Sequence, residues 1–200
     1  MYDKKFWNER YATGDYLFGV DPNSFLTEYA DLLTGPVLSL SEGEGRNAVF
    51  LASLGLEVHG IDLSEVALSK ARALAELKNV KIQTEVADLA SYEPKENTYG
   101  SAISIFAHLP SVTRNRLYPL VEASLKPGGI IVLEAYSENQ LKRHTGGPKD
   151  PDMLMTVNKI RREFPNCEPM LAHEIEREVC EGAGHTGLAS VVQFVARKSA

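Results

Sequence analysis

The residues best placed to do chemistry lie in Val37-Leu38-Ser39-Leu40-Ser41-Glu42-Gly43-Glu44-Gly45-Arg46. A short apolar run ends there in two closely spaced glycines. Glycine lets a ligand approach the backbone because no side chain stands in the way. The helix expected next points its free N–H groups at the same place. Asp62 directly follows the next apolar run, roughly 20 residues on, where a carboxylate can accept hydrogen bonds from both hydroxyls of a ribose. Asp88, in Val86-Ala87-Asp88-Leu89, follows the third run and can receive the exocyclic amino group of an adenine. Each has an ordinary explanation: Gly-x-Gly is a common tight connection, Asp62 can cap the helix near Ser64, and Asp88 can be a cap or turn residue. Together they fall on successive strand ends at one edge of one sheet, where open α/β sheets bind ligands.

The elements that must position them read as alternating strands and helices. Strands are expected at 37–40, 56–61, 80–86, 101–106 and 130–135, with helices at 46–54, from Ser64 to about Leu77, and at 111–125. Such alternation gives a doubly wound, mostly parallel sheet. Residues 137–155 hold Gly146-Gly147-Pro148 and Pro151 and read as a long connection, followed by a short helix at 156–164. Two further strands, 169–179 and 188–195, are joined by too few residues for a helical crossover, so this pair should be antiparallel. Upstream, Phe6, Trp7, Arg10 and Tyr11 share a helical spacing, and Pro22-Asn23-Ser24 introduces a second helix that Gly35-Pro36 ends. The whole reads as one domain over 1–200, with 1–34 as a helical cap over the site.

Two hundred residues suit one core of ordinary size, and 44% hydrophobic with 24% charged residues is a globular composition. A net charge of −6 argues against a nucleic-acid surface, which needs a basic stripe. Cys167 and Cys180 fit no metal-ligand spacing and no disulfide framework, so a reduced, cytoplasmic setting is expected. No signal peptide and no membrane span is read in the chain. The expected partner is a small molecule, with no metal, and the chain a monomer or weak homodimer.

Gly43-Glu44-Gly45-Arg46-Asn47-Ala48 also fits the dinucleotide fingerprint G-x-G-x-x-G/A, which keeps a nicotinamide oxidoreductase open as an alternative. Asp88 has no routine role in that fingerprint. Leu125-Lys126-Pro127-Gly128-Gly129 and the antiparallel C-terminal pair resemble class I methyltransferases that use S-adenosylmethionine (SAM). The likeness narrows with Phe6-Trp7-Asn8-Glu9-Arg10-Tyr11, the Tyr16-Leu17-Phe18-Gly19 loop, Pro22-Asn23-Ser24-Phe25-Leu26, the Gly-Glu-Gly-Arg-Asn turn, Asp62-Leu63-Ser64 and Phe106-Ala107-His108-Leu109-Pro110. These resemble the tellurite-resistance branch, which is similar to thiopurine and thiol S-methyltransferases.

That resemblance implies a Rossmann-like seven-stranded sheet with its last strand antiparallel, SAM as cofactor, and a small soft acceptor such as a thiol or chalcogen oxyanion. It implies cofactor contacts from Ser41, Glu42, Gly43, Gly45, Asp62, Leu63, Asp88, Leu89 and Phe106. The aromatic faces of Trp7 and Phe18 suit closing over the sulfonium cation, with core packing as the competing reading of Trp7. The family usually carries an acid two positions before the end of strand one and a glycine where the turn begins. Ser39 and Ser41 stand there, so Glu42 is expected to replace the acid while Glu44 points outward. A protein that binds SAM without catalysis is a further alternative. His108 and His185 are the catalytic candidates, with Tyr136 and His144 also on the acceptor side; ordinary readings are a packing His108, a surface-turn His185 and an exposed His144. Glu174, Glu176 and Glu178 alternate along a strand and read as a solvated face.

Overall fold

The structure, a computed structural model, describes residues 3–143 and 145–199. Its strands are β1 (Val37–Leu40), β2 (Val58–Asp62), β3 (Gln83–Val86), β4 (Tyr99–Ile105), β5 (Leu125–Tyr136), β6 (Cys167–Glu181) and β7 (His185–Lys198). Its helices are α1 (Lys4–Tyr11), α2 (Ser24–Tyr29), α3 (Arg46–Ser53), α4 (Glu65–Leu77), α5 (Ser111–Ser124) and α6 (Val157–Glu163). The strands form one seven-stranded sheet in the order β3-β2-β1-β4-β5-β7-β6. The first five are parallel, and β7 is antiparallel to both β5 and β6. This is the Rossmann-like methyltransferase arrangement.

Every residue of β1 and β4 is buried, because helices cover both faces of the sheet and leave no solvated side to alternate toward. On one face Leu117 and Tyr118 of α5 and Phe164 pack over Phe194 and Leu133. On the other, Phe25 and Leu26 of α2 and Leu51 of α3 pack over Ile103, Val132 and Val195. The edge strand β6 alternates instead, with Glu174, Glu176 and Glu178 exposed. Charge on an exposed edge also discourages pairing with another chain.

Several boundaries differ from the sequence reading, and among the strand starts β3, β5 and β7 differ most. Strand β3 starts at Gln83, not Val80, since the Val80 N–H closes the end of α4 on the Ala75 carbonyl at 2.9 Å after left-handed Asn79. Strand β5 starts at Leu125, so the Lys-Pro-Gly-Gly stretch lies within it rather than before it. The last two strands pair on to Glu181 opposite His185, so His185 opens β7 instead of sitting in a turn between glycines. The helix starts follow their caps: Asn23 accepts from Leu26 N–H, and Ser64 from Ala67 N–H.

Candidate active site

A cavity of about 600 Å³ opens between the ends of β1, β2 and β4 and the N-terminal segment. Ser41, Gly43, Asp62, Leu63, Asp88, Leu89 and Phe106 line it, and so do Trp7, Phe18, His108 and His185. Residues spread from 7 to 185 in the chain therefore meet at one sheet edge.

The turn after β1 is held from inside. Ser41, Gly43 and Gly45 all take positive φ. Glu42 is buried; one carboxylate oxygen accepts the Ala48 N–H at 2.9 Å and the other accepts the Ser39 hydroxyl. The side chain thus ties β1 to the first turn of α3. Gly60 makes room for it, because a Cβ there would lie 2.9 Å from Glu42 Cγ. Burial pushes the Glu42 carboxyl up to about 7, against the pull of its two hydrogen bonds.

Gly45 does not line the cavity. A Cβ on it would sit 2.6 Å from Ala71 Cα, so this glycine permits the close approach of α3 to α4. Gly43 does line it, with Tyr11 Oη 3.3 Å from where its Cβ would be. Asp62, the last residue of β2, accepts the Gly43 N–H through one oxygen and the Ser64 N–H through the other, both at 2.8 Å. Burial raises its pKa while these backbone bonds lower it. The Leu63 N–H adds a third bond, and a carboxylate has about four lone-pair sites, so some acceptor capacity remains beside the cavity. Asp88 is exposed at the rim, bonded to the Ala90 N–H at 2.9 Å.

Glu44 departs from its expected outward position. It is 5% exposed, accepts the Leu17 N–H at 2.8 Å and pairs with Lys70 at 2.5 Å. Lys70 also donates to the carbonyls of Tyr11, Thr13 and Asp15 at 3.4, 3.1 and 2.6 Å. The cap is thereby fastened to the glycine turn. Tyr11, which the sequence reading gave no site role, is buried against Gly43. It stacks on Trp7 at 5.7 Å between ring centroids and meets the Phe18 ring edge-on at 6.2 Å. Its clue was the spacing it shares with Phe6 and Trp7. Burial and the Asp62 charge raise its pKa, so it stays a phenol.

The histidines behave differently from their candidate roles. His108 Nε2 accepts the Tyr136 N–H at 3.0 Å, and its ring lies parallel to the Tyr136 ring at 5.2 Å. That nitrogen is committed to the end of β5. His185 is half-buried, with Phe18, Phe106 and Tyr136 at 4.5, 4.8 and 5.4 Å between ring centroids. Burial holds both imidazoles at a pKa of about 3, helped at His108 by His185 and at His185 by Arg46 and Arg10. Tyr136 is fully buried under Gly146 and Gly147 and does not line the cavity. His144 lies outside the described residues.

A buried polar network beside the cavity gave no signal in the sequence. Arg46 pairs with Glu181 at 2.5 Å, and Arg177 pairs with Glu134 at 2.5 Å. Asn23 bridges the two carboxylates at 2.6 and 2.7 Å, and Gln193 adds a bond to Glu134 at 2.7 Å. These six residues come from both ends of the chain, so no local pattern announces them.

Residues 37–129 match the family model for a methyltransferase domain. That stretch of the chain carries a methyltransferase domain. This match sets aside the nicotinamide reading of the same glycines. One curated relative, the tRNA (uracil(54)-C(5))-methyltransferase of Pyrococcus abyssi (strain GE5 / Orsay), is 33% identical over 99 residues, 44% of this chain and 24% of that protein. The chain thus matches about a quarter of that relative's length. Among solved structures, one from work on the conversion of a disulfide bond into a thioacetal group during echinomycin biosynthesis superposes with a TM-score of 0.76. It is 21% identical, over 98% of this chain and 92% of that one. TehB from Haemophilus influenzae superposes with a TM-score of 0.72 at 18% identity, over 98% of this chain and 67% of that chain. Identities this low establish the fold of the methyltransferase domain. Among the described residues no helix is long and apolar enough to cross a membrane.

Proposed function

We propose that the chain transfers a methyl group from SAM to a small soft nucleophile, a thiol or a chalcogen oxyanion, by in-line displacement and without an obligatory general base. The lining fits the cofactor: Gly43 leaves the turn open to it, Asp62 keeps lone pairs for the ribose, and Asp88 with Leu89 suits the adenine. Trp7 and Phe18 present aromatic faces to a cation and exclude water. Bound there, SAM supplies a methyl group on a positively charged sulfur. The protein's share is to align acceptor and methyl group and to keep solvent out.

The observation that carries the absence of a base is the state of the two histidines. His108 has committed its accepting nitrogen to Tyr136 N–H, and both rings remain neutral down to about pH 3. A group that weakly basic removes no proton from an alcohol or a carbon acid at neutral pH. A thiolate or an oxyanion needs no such help. The acceptor is taken as a small molecule because the cavity is enclosed by the cap and the net charge is −6.

Methyl transfer from SAM to a panel of thiols of differing acidity, followed across pH, tests this. Rates should rise with ionisation of each thiol, with no inflection common to all near 6.5. A shared inflection there, together with loss of activity in a folded His185→Ala variant, would assign the base to histidine. SAM binding without transfer to any class of acceptor would favour a sensor.

A further inference from the structure

Among the described residues, three buried polar atoms near the end of the cavity have no hydrogen-bond partner: Arg46 Nη1, the Tyr136 hydroxyl and His185 Nδ1. They belong to one neighbourhood. The Tyr136 and His185 rings meet edge-on at 5.4 Å between centroids, and the Arg46 charge acts on both. Arg46 and His185 line the cavity, and so do Gly146 and Gly147, which cover Tyr136. A Cβ on Gly146 would stand 3.0 Å from the Tyr136 hydroxyl and 3.3 Å from His185 Cδ2, so only glycine lets the cover sit this close.

The nearby acids do not answer for the Arg46 Nη1 donor. Glu181 takes Arg46 Nη2 at 2.5 Å, and its other oxygen takes Asn23 at 2.7 Å and Arg177 at 3.3 Å. Both oxygens of Glu134 are filled by Arg177, Gln193 and Asn23. Two carboxylates are thus balanced by two guanidiniums, with one guanidinium N–H group left over. Buried donors are normally paired, and a guanidinium pairs best with a negatively charged oxygen.

We propose that Arg46, with His185 beside it, forms an acceptor subsite for an anionic oxygen group, so that the preferred acceptor is a small thiol bearing a carboxylate. The proposal rests on the methyl-transfer reading of the same cavity. Arg46 Nη1 donates to the carboxylate, and His185 packs against the carbon between it and the sulfur. The soft sulfur is then left toward Trp7 and Phe18, where the cap encloses the cavity.

Calorimetric titration of 3-mercaptopropionate and of neutral 3-mercaptopropan-1-ol, with and without S-adenosylhomocysteine, tests this. With S-adenosylhomocysteine bound, the carboxylate-bearing thiol should bind at least roughly tenfold tighter, the worth of one hydrogen bond to a charged group. Arg46→Lys keeps a cation for Glu181 but lacks the second amino group. Arg46→Lys should lower the affinity for 3-mercaptopropionate toward that of the alcohol and leave S-adenosylhomocysteine binding unchanged. Tyr136→Phe, which removes a hydroxyl covered from the cavity by Gly146, should change neither affinity. Equal affinity of the two thiols for the wild type would overturn the proposal. So would an Arg46→Lys variant that weakens S-adenosylhomocysteine alone, which would give this donor to the cofactor's own carboxylate. Failure of S-adenosylhomocysteine to bind at all would remove the methyl-transfer reading, while the titrations into ligand-free protein would still show whether the anion is preferred.

Discussion

Lys70→Met should be among the more damaging single changes outside the cavity lining. The Lys70 ammonium is the counter-ion of Glu44, whose side chain is 3% exposed, while Lys70 itself is 18% exposed. Its removal strands a carboxylate in the interior with the Leu17 N–H as its remaining bond, and it cuts the cap loose from three carbonyl anchors. Breaking a buried pair from one side costs about 3–5 kcal/mol. The partial exposure of Lys70 places this case at the lower end, at about 3 kcal/mol. For a chain of this size that lowers Tm by about 6–12 °C. Glu44→Gln should cost less, about 1 kcal/mol, since the amide still accepts from Leu17 and Lys70 keeps its carbonyls and some water. The double variant should be more stable than the sum of the single losses, because the stranded charge is gone. Thermal unfolding of the four proteins measures all three quantities. A drop below about 2 °C for Lys70→Met, or strict additivity, would refute the reasoning. In that case the Glu44–Lys70 contact would be a surface pair of little consequence.

Glu42→Gln should change the pH dependence of stability. The Glu42 carboxyl titrates at about 7 in the fold against an ordinary 4.5, so between those values the folded protein holds a proton that the unfolded chain has lost. Stability is then full below about 4.5 and falls as pH rises to about 7, by about 3 kcal/mol, and denaturant melts should show this fall flattened in Glu42→Gln. Gly45→Ala should cost about 3 kcal/mol or more by forcing a methyl group into Ala71, whereas Gly43→Ala should cost less in melting temperature and more in SAM affinity. Equal melting temperatures would reverse the two assignments. Asp62→Ala should weaken SAM at least roughly tenfold by calorimetry. An unchanged affinity in a folded variant would leave Asp62 only its bonds to Gly43, Leu63 and Ser64.

What was legible in the sequence was whatever is local. The glycine turn, the acid at the end of β2 and the Ser64 cap are short-range patterns; the alternation of strand and helix gave the parallel part of the sheet, and the short joint before β7 gave its antiparallel pairing with β6. Glu44 was misread because its direction depends on Lys70, 26 positions later in the numbering. The packing of Gly45 against Ala71 was not legible, because a glycine needed for helix packing and one open to a ligand look alike in a Gly-x-Gly turn. His185 seemed a turn residue since the flanking glycines suggested a loop, yet the strand pairing runs past them and the Phe18 ring packs against it. The Arg46–Glu181 and Arg177–Glu134 pairs join β5, β6 and α3, so only the assembled sheet shows them.

The place of β7 has a consequence for how the chain is made. Of the seven strands described it leaves the ribosome last, yet it lies between β5 and β6. Until it emerges, β5 presents a bare edge whose Ile130, Ile131, Val132 and Leu133 are all destined for the interior. An open apolar edge of this kind is a template for pairing with another chain. The nascent protein therefore passes through an interval in which six strands exist and the sheet cannot close. That interval, and not the finished fold, is where a holding chaperone or slower translation would matter most. Stalled chains ending just before His185 should aggregate where chains extending past Lys198 do not.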